Sequence, residues 1–238
     1  GLGEATARHL ATSGVRVTLF DMNEEKGQHV AKDIGGLFQK VDVSDAEQVA
    51  NGLHAAREAH GQEHIAVNCA GICPAAKTVS RGAAHDAALY AKVIKINLLG
   101  TFNISSQSAA GMLNNEPMES GERGVGINTA SVAAYDGQVG QVAYSASKGG
   151  VVGMTLPMAR DLSDKGVRVM AVAPGIMKTP MVSGFPQEVQ DALAAQIPFP
   201  SRLGEPSEYA RLVQHICENQ FLNGEVIRFD GAIRMAPR

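Results

Sequence analysis

The chain has 238 residues, 45% of them hydrophobic and 19% charged, which is an ordinary composition for a single domain of the large α/β type. Its formal net charge of −3 gives no electrostatic reason to expect direct contact with nucleic acid or an anionic membrane. No apolar run approaches the length of a membrane span. Three cysteines without zinc-ligand spacing and seven scattered histidines predict a reducing compartment and no metal site.

Short β-rich runs alternate with helical stretches, a pattern that predicts parallel strands joined by crossover helices. The predicted elements are a helix at 4–13, strands at 15–20 and 38–43, a helix from a Ser44/Glu47 capping box to about residue 60, a strand at 65–67, a long helix at 86–113 broken near 97–100, a strand at 125–130, a helix at 144–162, a strand at 167–172, a helix at 208–217 and a last strand at 226–230. The order predicts one domain over 1–238, a three-layer, doubly wound parallel sheet of Rossmann-like type.

A dinucleotide site is predicted where the first helix begins. Gly1-Leu2-Gly3 leads directly into that helix, and helix N-termini approached by glycine bind phosphate groups. Asp21, eighteen residues after Gly3 at the end of the next strand, has the position of the acid that hydrogen-bonds an adenosine ribose. Its neighbours Met22 and Asn23 supply no cation for a 2′-phosphate, so NAD is favoured over NADP. The alternative for Asp21 is a helix cap or loop acid.

Two further strand ends belong to the same predicted crevice, because ligands of open α/β sheets bind at the carboxyl ends of the strands. Asp42-Val43 could bond and stack with adenine. Asn68-Cys69-Ala70-Gly71 would let the backbone pass under the cofactor, with Cys69 as a small apolar wall residue.

Tyr144 and Lys148 are four residues apart at the start of a predicted helix, and Ser131 closes the apolar strand before it. A phenol with a pKa of about 10 is too weak a base near neutrality, and lowering it to ~7 takes about 4 kcal/mol. A nearby ammonium and an oxidised nicotinamide are the predicted sources of that stabilisation. The alternative is an ordinary surface pair, which Gly149, Gly150 and Gly153 argue against, because they indicate close packing against the core or a partner subunit.

The chain resembles the short-chain dehydrogenase/reductase family over nearly its whole length. The resemblance is carried by Gly-x-Gly at 1–3, Asp42-Val43, Asn68 to Gly71, Asn97, Ser131, Tyr144-x-x-x-Lys148 and Pro174-Gly175. Stretches 128–134, 137–141, 198–204 and 221–228 are most similar to members that act on 3-hydroxyacyl-CoA thioesters and hydroxysteroids.

The resemblance implies site roles. Tyr144 becomes the acid/base, Ser131 the partner of the substrate oxygen, Lys148 the anchor of the nicotinamide ribose and Asn97 the holder of a relay water. It also implies NAD contacts at Leu2, Asp21, Asp42, Val43, Cys69, Tyr144, Lys148, Met177 and Thr179, and a substrate contact at Gln138. Residues 183–202 correspond to a mobile substrate lid, and the family is usually tetrameric, so a homotetramer is expected.

The resemblance further implies a strand and a Thr-Gly-x-x-x segment ahead of residue 1, so we expect the chain to be trimmed at its N-terminus and any targeting segment to lie upstream. The expected compartment is the cytoplasm in a bacterium and the mitochondrial matrix in a eukaryote. Residues 79–91 match loosely, which leaves substrate preference open.

Three functions are weighed. The first is reversible NAD-dependent oxidation of a 3-hydroxyacyl-CoA to the 3-oxoacyl-CoA. The second keeps the chemistry but acts on a hydroxysteroid or another apolar secondary alcohol. The third is a non-catalytic scaffold subunit of an RNA-processing complex, which the intact Ser-Tyr-Lys set disfavours.

Overall fold

The computed structural model describes residues 1–237, apart from the side chain of residue 181. The helices are α1 (Leu2–Thr12), α2 (Glu24–Ile34), α3 (Ala46–His60), α4 (Ala87–Ile94), α5 (Gly100–Met112), α6 (Val142–Asp161), α7 (Pro180–Ser183), α8 (Gln187–Ala194) and α9 (Pro206–Glu218). The strands are β1 (Thr18–Asp21), β2 (Leu37–Lys40), β3 (Ile65–Asn68), β4 (Val79–Ser80), β5 (Ala83–Ala84), β6 (Gly124–Thr129), β7 (Val167–Pro174) and β8 (Val226–Phe229).

The central sheet is parallel, with strand order β3-β6-β7-β8. Every residue of β6 and β7 is buried, as expected of parallel strands covered on both faces. Alternate residues divide between the two faces. Val125 and Ile127 pack with Tyr209 of α9, whereas Asn128 faces Ser105 of α5. The register therefore fixes which side chains of β6 reach the carboxyl end of the sheet beside α6.

Helices cover both faces of this sheet, which confirms the predicted three-layer Rossmann-like fold. Helices α1 and α9 pack on one face, while α3, α5 and α6 pack on the other. Among the described helices, none combines the length and hydropathy that crossing a membrane requires.

Strands β1 and β2 form a separate parallel pair beside the central sheet. In the described part of the chain, β1 and β3 share no ladder of hydrogen bonds, and a cavity of about 730 Å³ lies between them. Leu19 and Val67 line its walls, and Gly1, Gly3 and Asp21 line its rim. The cavity runs along the whole length of both strands, from Arg16 and His64 at their amino ends to Asp21 and Asn68 at their carboxyl ends, where the cofactor site is predicted.

Several local predictions need correction. The strands predicted at 15–20 and 38–43 are shorter, because only 18–21 and 37–40 pair with each other. Asp45, rather than Ser44, caps α3 and accepts from the amides of Glu47 and Gln48. The Ser44 hydroxyl instead donates to Asp42. Helix α2 and the exposed β4–β5 hairpin were not predicted.

The broken long helix is confirmed, and its break is a wide π turn. Helices α4 and α5 are joined without a loop by residues Lys95–Leu99, in which Asn97 is fully buried. π turns of this kind are frequent at functional sites. The segment predicted as a lid contains the short helices α7 and α8.

Candidate active site

Ser131, Tyr144 and Lys148 converge at the carboxyl end of β6. Tyr144 lies in the first turn of α6, and the Lys148 Nζ atom is 5.7 Å from the centre of its ring. Ser131 lies two residues after β6, with its side chain close enough to the Tyr144 hydroxyl to lower the pKa of that phenol by hydrogen bonding. The Ser131 Oγ also accepts from the amide of Ala133 at 3.1 Å, which fixes the serine rotamer. A reacting oxygen placed against Ser131 would therefore also reach the Tyr144 hydroxyl.

Burial dominates the electrostatics of this cluster. It raises the pKa of Tyr144, and the hydrogen bond from Ser131 opposes that rise only in part. Burial also lowers the pKa of Lys148, to about 8, since desolvation disfavours its charged form. The protein without ligands therefore does not lower the pKa of the phenol, and stabilisation of a phenolate by Lys148 together with an oxidised nicotinamide stays a prediction.

Asn97 is fully committed to protein partners. Its Oδ1 accepts from the amide of Ile72 at 2.8 Å, and its Nδ2 donates to the Ile72 carbonyl at 2.9 Å and to the Ser147 Oγ at 3.0 Å. The Ser147 hydroxyl in turn donates to the Tyr144 carbonyl at 2.7 Å. The side chain of Asn97 thus joins the loop after β3 to the catalytic helix. A relay water would have to bind the main-chain carbonyl oxygen of Asn97, which also accepts a hydrogen bond from the Thr101 hydroxyl.

The first turn of α1 and the end of β1 form the predicted adenosine side of the site. The helix begins at Leu2 without a side-chain cap, so its first amides point outward from the N-terminus. Asp21 is exposed; its Oδ1 accepts from the amide of Asn23 at 2.8 Å, and its Oδ2 has no partner within residues 1–237. A free carboxylate oxygen and a helix N-terminus are the groups that a ribose and a diphosphate require. These residues fit a dinucleotide.

Asp42 and Val43 continue this side of the site. One carboxylate oxygen of Asp42 accepts both the amide and the hydroxyl of Ser44. Asn103 of α5 donates to the Val43 carbonyl at 2.9 Å, which holds the strand end in place. A Cβ added at Gly100 would lie 2.6 Å from the Val43 side chain, so the glycine at the π turn lets the two segments approach.

Cys69, Met177 and Thr179 occupy different environments. Burial raises the pKa of the Cys69 thiol, in line with the wall role predicted for it. Met177 is buried in the main core and contacts Gly204, so its side chain serves packing. Thr179 lies just before α7, and the next residue, Pro180, is near Gly1.

The side chain of Gln138 is bound to a segment that is distant in sequence. Its Nε2 donates to the carbonyl of Ala236 at 2.9 Å, which binds the loop after Ser131 to the segment that follows β8. The predicted substrate contact would therefore fall to its backbone or to its Oε1, which has no partner in the described part of the chain.

Two contributors were missed by sequence reasoning. Thr129 supplies the carbonyl oxygen that holds Lys148, and Ser147 connects Asn97 to Tyr144. Ser147 had a visible signal, because a small hydroxyl residue adjoins Lys148 on a helix otherwise rich in Gly, Ala and Val. Thr129 gave no such signal, because it contributes its main-chain carbonyl rather than its side chain. No cluster of metal-ligating side chains is found within the described residues.

Comparison with known proteins agrees with this geometry. The short-chain dehydrogenase family model described as enoyl-(acyl carrier protein) reductase matches residues 1–233. The chain therefore belongs to the short-chain dehydrogenase/reductase family, whose members are oxidoreductases that generally use NAD(P) and act on small molecules.

Individual relatives are similar over the whole chain. The chain is 54% identical to the 3-hydroxyacyl-CoA dehydrogenase type-2 of Bos taurus, over 100% of this chain and 92% of that protein. It is 53% identical to the protein of the same name from Drosophila melanogaster, over 100% and 94%. The crystal structure of 3-hydroxyacyl-CoA dehydrogenase type-2 from Mycobacterium avium superposes with a TM-score of 0.96 at 42% identity, over 100% and 93%.

Proposed function

We propose that this chain is an NAD-dependent dehydrogenase that interconverts a 3-hydroxyacyl-CoA and the corresponding 3-oxoacyl-CoA. The observation that carries the proposal is the convergence of Ser131, Tyr144 and Lys148 beside a dinucleotide-type crevice. The thioester substrate rests on the names of relatives that match the whole chain at more than 50% identity. Residues 1–238 would form one catalytic domain.

In the direction of oxidation, a nicotinamide whose ribose Lys148 would hold would supply the hydride acceptor for the carbinol carbon. Tyr144 accepts the hydroxyl proton, and Ser131 donates a hydrogen bond to the same oxygen as its charge changes. Lys148 stabilises the phenolate electrostatically and is oriented by the Thr129 carbonyl at 2.6 Å. Reduction reverses these roles, because Tyr144 then returns the proton to the nascent alkoxide.

NAD is the proposed cofactor. The carboxylate of Asp21 would accept hydrogen bonds from the ribose hydroxyls and repel a 2′-phosphate. Asp42 and Val43 would contact the adenine, Leu2 the diphosphate, and Cys69, Met177 and Thr179 the nicotinamide half. These assignments rest on the order of the strand ends around the crevice.

A homotetramer is the proposed assembly. Helix α6 presents an exposed face on which Gly149 and Gly153 meet no atom within 4 Å. Leu99, Phe102 and Leu156 are exposed apolar side chains on α6 and on the neighbouring α4–α5 helix, and a face of this kind suits helix packing between subunits. The proposed compartment is the cytoplasm of a bacterium or the mitochondrial matrix of a eukaryote.

The test is turnover of acetoacetyl-CoA with NADH by the full-length protein, followed by the loss of NADH absorbance. The Tyr144→Phe variant should lose about 10²- to 10⁴-fold in kcat because it has no proton to exchange. The matched control is Tyr90→Phe, which removes a hydroxyl outside the site and should retain full activity. If acyl-CoA substrates give no turnover while a hydroxysteroid does, the substrate assignment is wrong.

A further inference from the structure

Arg228 of β8 binds two segments that are distant in sequence. Its Nη2 donates to the carboxylate of Asp136 at 2.7 Å and to the carbonyl of Ile233 at 3.1 Å. Its Nε donates to Asp230 at 2.8 Å, and its guanidinium lies 5.1 Å from the ring centre of Tyr135. With four contacts the guanidinium is fixed, although its side chain is still 23% exposed. Arg228 therefore holds both segments in one relative position.

The first of these segments is the substrate loop, residues 131–141, which begins at Ser131 and ends just before α6. Besides the ion pair of Asp136, two hydrogen bonds bind it to the segment after β8. Gln138 Nε2 donates to the Ala236 carbonyl at 2.9 Å, and the Val139 amide donates to the Pro237 carbonyl at 3.0 Å. The substrate loop thus has a charged contact at its centre, and hydrogen bonds to two main-chain carbonyls follow it within three residues.

The second is the closing segment, residues 231–237, which also supports the lid, residues 183–202. Ile233 is 1% exposed and forms a core cluster with Ile197 of the lid and Leu203. Leu193 and Ala194 of the lid, and Val182 just before it, pack against the same cluster. The closing segment is therefore the part of the chain that the substrate loop and the lid both contact.

We propose that Arg228 is a positioning residue for the substrate half of the site. By holding Asp136 and the Ile233 carbonyl on one guanidinium, it sets the distance between the lid and Ser131. The proposal rests on the proposed function, because it assigns the lid to the acyl substrate. A planar fork of N–H donors suits the task, because Nη2 binds Asp136 and the Ile233 carbonyl while Nε binds Asp230 at a fixed angle, whereas a lysine ammonium is a single point of charge on a flexible chain.

The direct test compares Arg228→Gln and Arg228→Lys with the wild-type protein. In both variants the KM for acetoacetyl-CoA should rise by about tenfold, a loss of ~1.4 kcal/mol of substrate binding, while kcat changes little. The Kd for NADH, measured by fluorescence titration, should stay at the wild-type value. The matched control is Arg234→Gln, which also loses a bond to Asp230 but has none to Asp136.

A second measurement separates this proposal from the substrate assignment. Cleavage after Glu188, an exposed lid residue, by a glutamate-specific protease needs no turnover and should be several-fold faster in Arg228→Gln than in Arg234→Gln. If the wild-type protein reduces no acyl-CoA but the cleavage rates differ as expected, the proposed function fails and the positioning role stands. If Arg228→Gln and Arg234→Gln have equal KM values and equal cleavage rates, the positioning role is overturned.

If Arg228→Gln does not fold, Asp136→Asn answers the same question. It removes only the charge on the substrate loop and leaves the bonds of Arg228 to Asp230 and Ile233. A raised KM and faster lid cleavage in Asp136→Asn support the proposal. Wild-type values for both overturn it.

Discussion

The ammonium of Lys148 donates a 2.6 Å hydrogen bond to the carbonyl oxygen of Thr129, the last residue of β6. The Thr129 hydroxyl is itself hydrogen-bonded to the buried Tyr209 hydroxyl at 2.8 Å and donates to the Asn68 carbonyl. Residues of β3, β6 and α9 therefore meet at the point that holds the catalytic amine. Its position is set by the sheet as well as by its own helix.

Lys148 should make stability rise with pH in alkaline solution. Below about pH 8 the amine is protonated in the folded and unfolded states, and the full cost of burying its charge is present. Between about 8 and the ordinary value of 10.5, the folded state has released the proton and the unfolded state has not. The free energy of unfolding should therefore rise in that window by up to ~1.4 kcal/mol per pH unit relative to Lys148→Met. Urea denaturation of both proteins from pH 7 to 10 measures the difference, and parallel curves would contradict it.

Asp21 should decide between NAD and NADP. Asp21→Ala removes the acceptor of the ribose hydroxyls and should raise the KM for NAD by about 10- to 100-fold, as expected for the loss of charge-assisted hydrogen bonds. The activity with NADP should rise at the same time, because the carboxylate no longer repels its phosphate. Steady-state kinetics with both cofactors measures the ratio. Asp164→Asn, at an exposed ion pair with Lys165, is the control and should keep the wild-type preference.

The ion pair between Arg168 and Glu122 should be a large contributor to stability. The two side chains are only 7% and 8% exposed, and Arg168 also donates to the carbonyls of Ile216 and Leu222. Arg168→Met leaves a buried carboxylate and several carbonyls unpaired, so it should lower the free energy of unfolding by about 3 to 5 kcal/mol. Chemical denaturation measures the loss. Arg160→Met, on the exposed face of α6, should cost far less.

Gly153 should tolerate a large side chain in the monomer but not in the assembly. A Cβ at this position meets no atom within 4 Å, so Gly153→Arg leaves the fold of one subunit intact. If α6 packs between subunits, the variant should dissociate the tetramer to smaller species, measured by light scattering after size-exclusion chromatography. Gly150→Arg is the contrast, because a Cβ there would lie 2.6 Å from Leu98 and should disturb the subunit itself. A Gly153→Arg protein with wild-type mass would exclude α6 from the interface.

The elements that could be predicted from the sequence are those whose pattern is local. The strand before Ser131 begins as the apolar run 125–127, and the Asn97–Gly100 break stands out in an otherwise helical stretch. Helix α2 was missed because Gly27 and Ala31 form much of its buried face. A Cβ at Gly27 would lie 2.1 Å from the Phe38 ring, so the helix can pack this closely only because residue 27 has no side chain. A pattern of hydrophobic residues does not show such a contact.

The site residues also divide into those that a local sequence pattern predicts and those that it does not. The spacing of Tyr144 and Lys148 is local and could be read directly. The partners of Asn97 and Gln138 lie 25 and 98 residues away, so their hydrogen bonds depend on how loops meet in the folded chain. The pKa of Tyr144 could not be predicted either, because the degree of burial is a property of the packed site.

The π turn at Lys95–Leu99 has a consequence for how this chain can change in length. Each residue of an α-helix turns it by about 100°, so one deletion within the turn would rotate Asn97 relative to the rest of α5. Asn97 would then lose Ile72 and Ser147 together. Exposed side chains along this helix, such as Leu99 and Phe102, can vary, but its residue count cannot. The β4–β5 hairpin, exposed on both strands, is free to gain or lose residues.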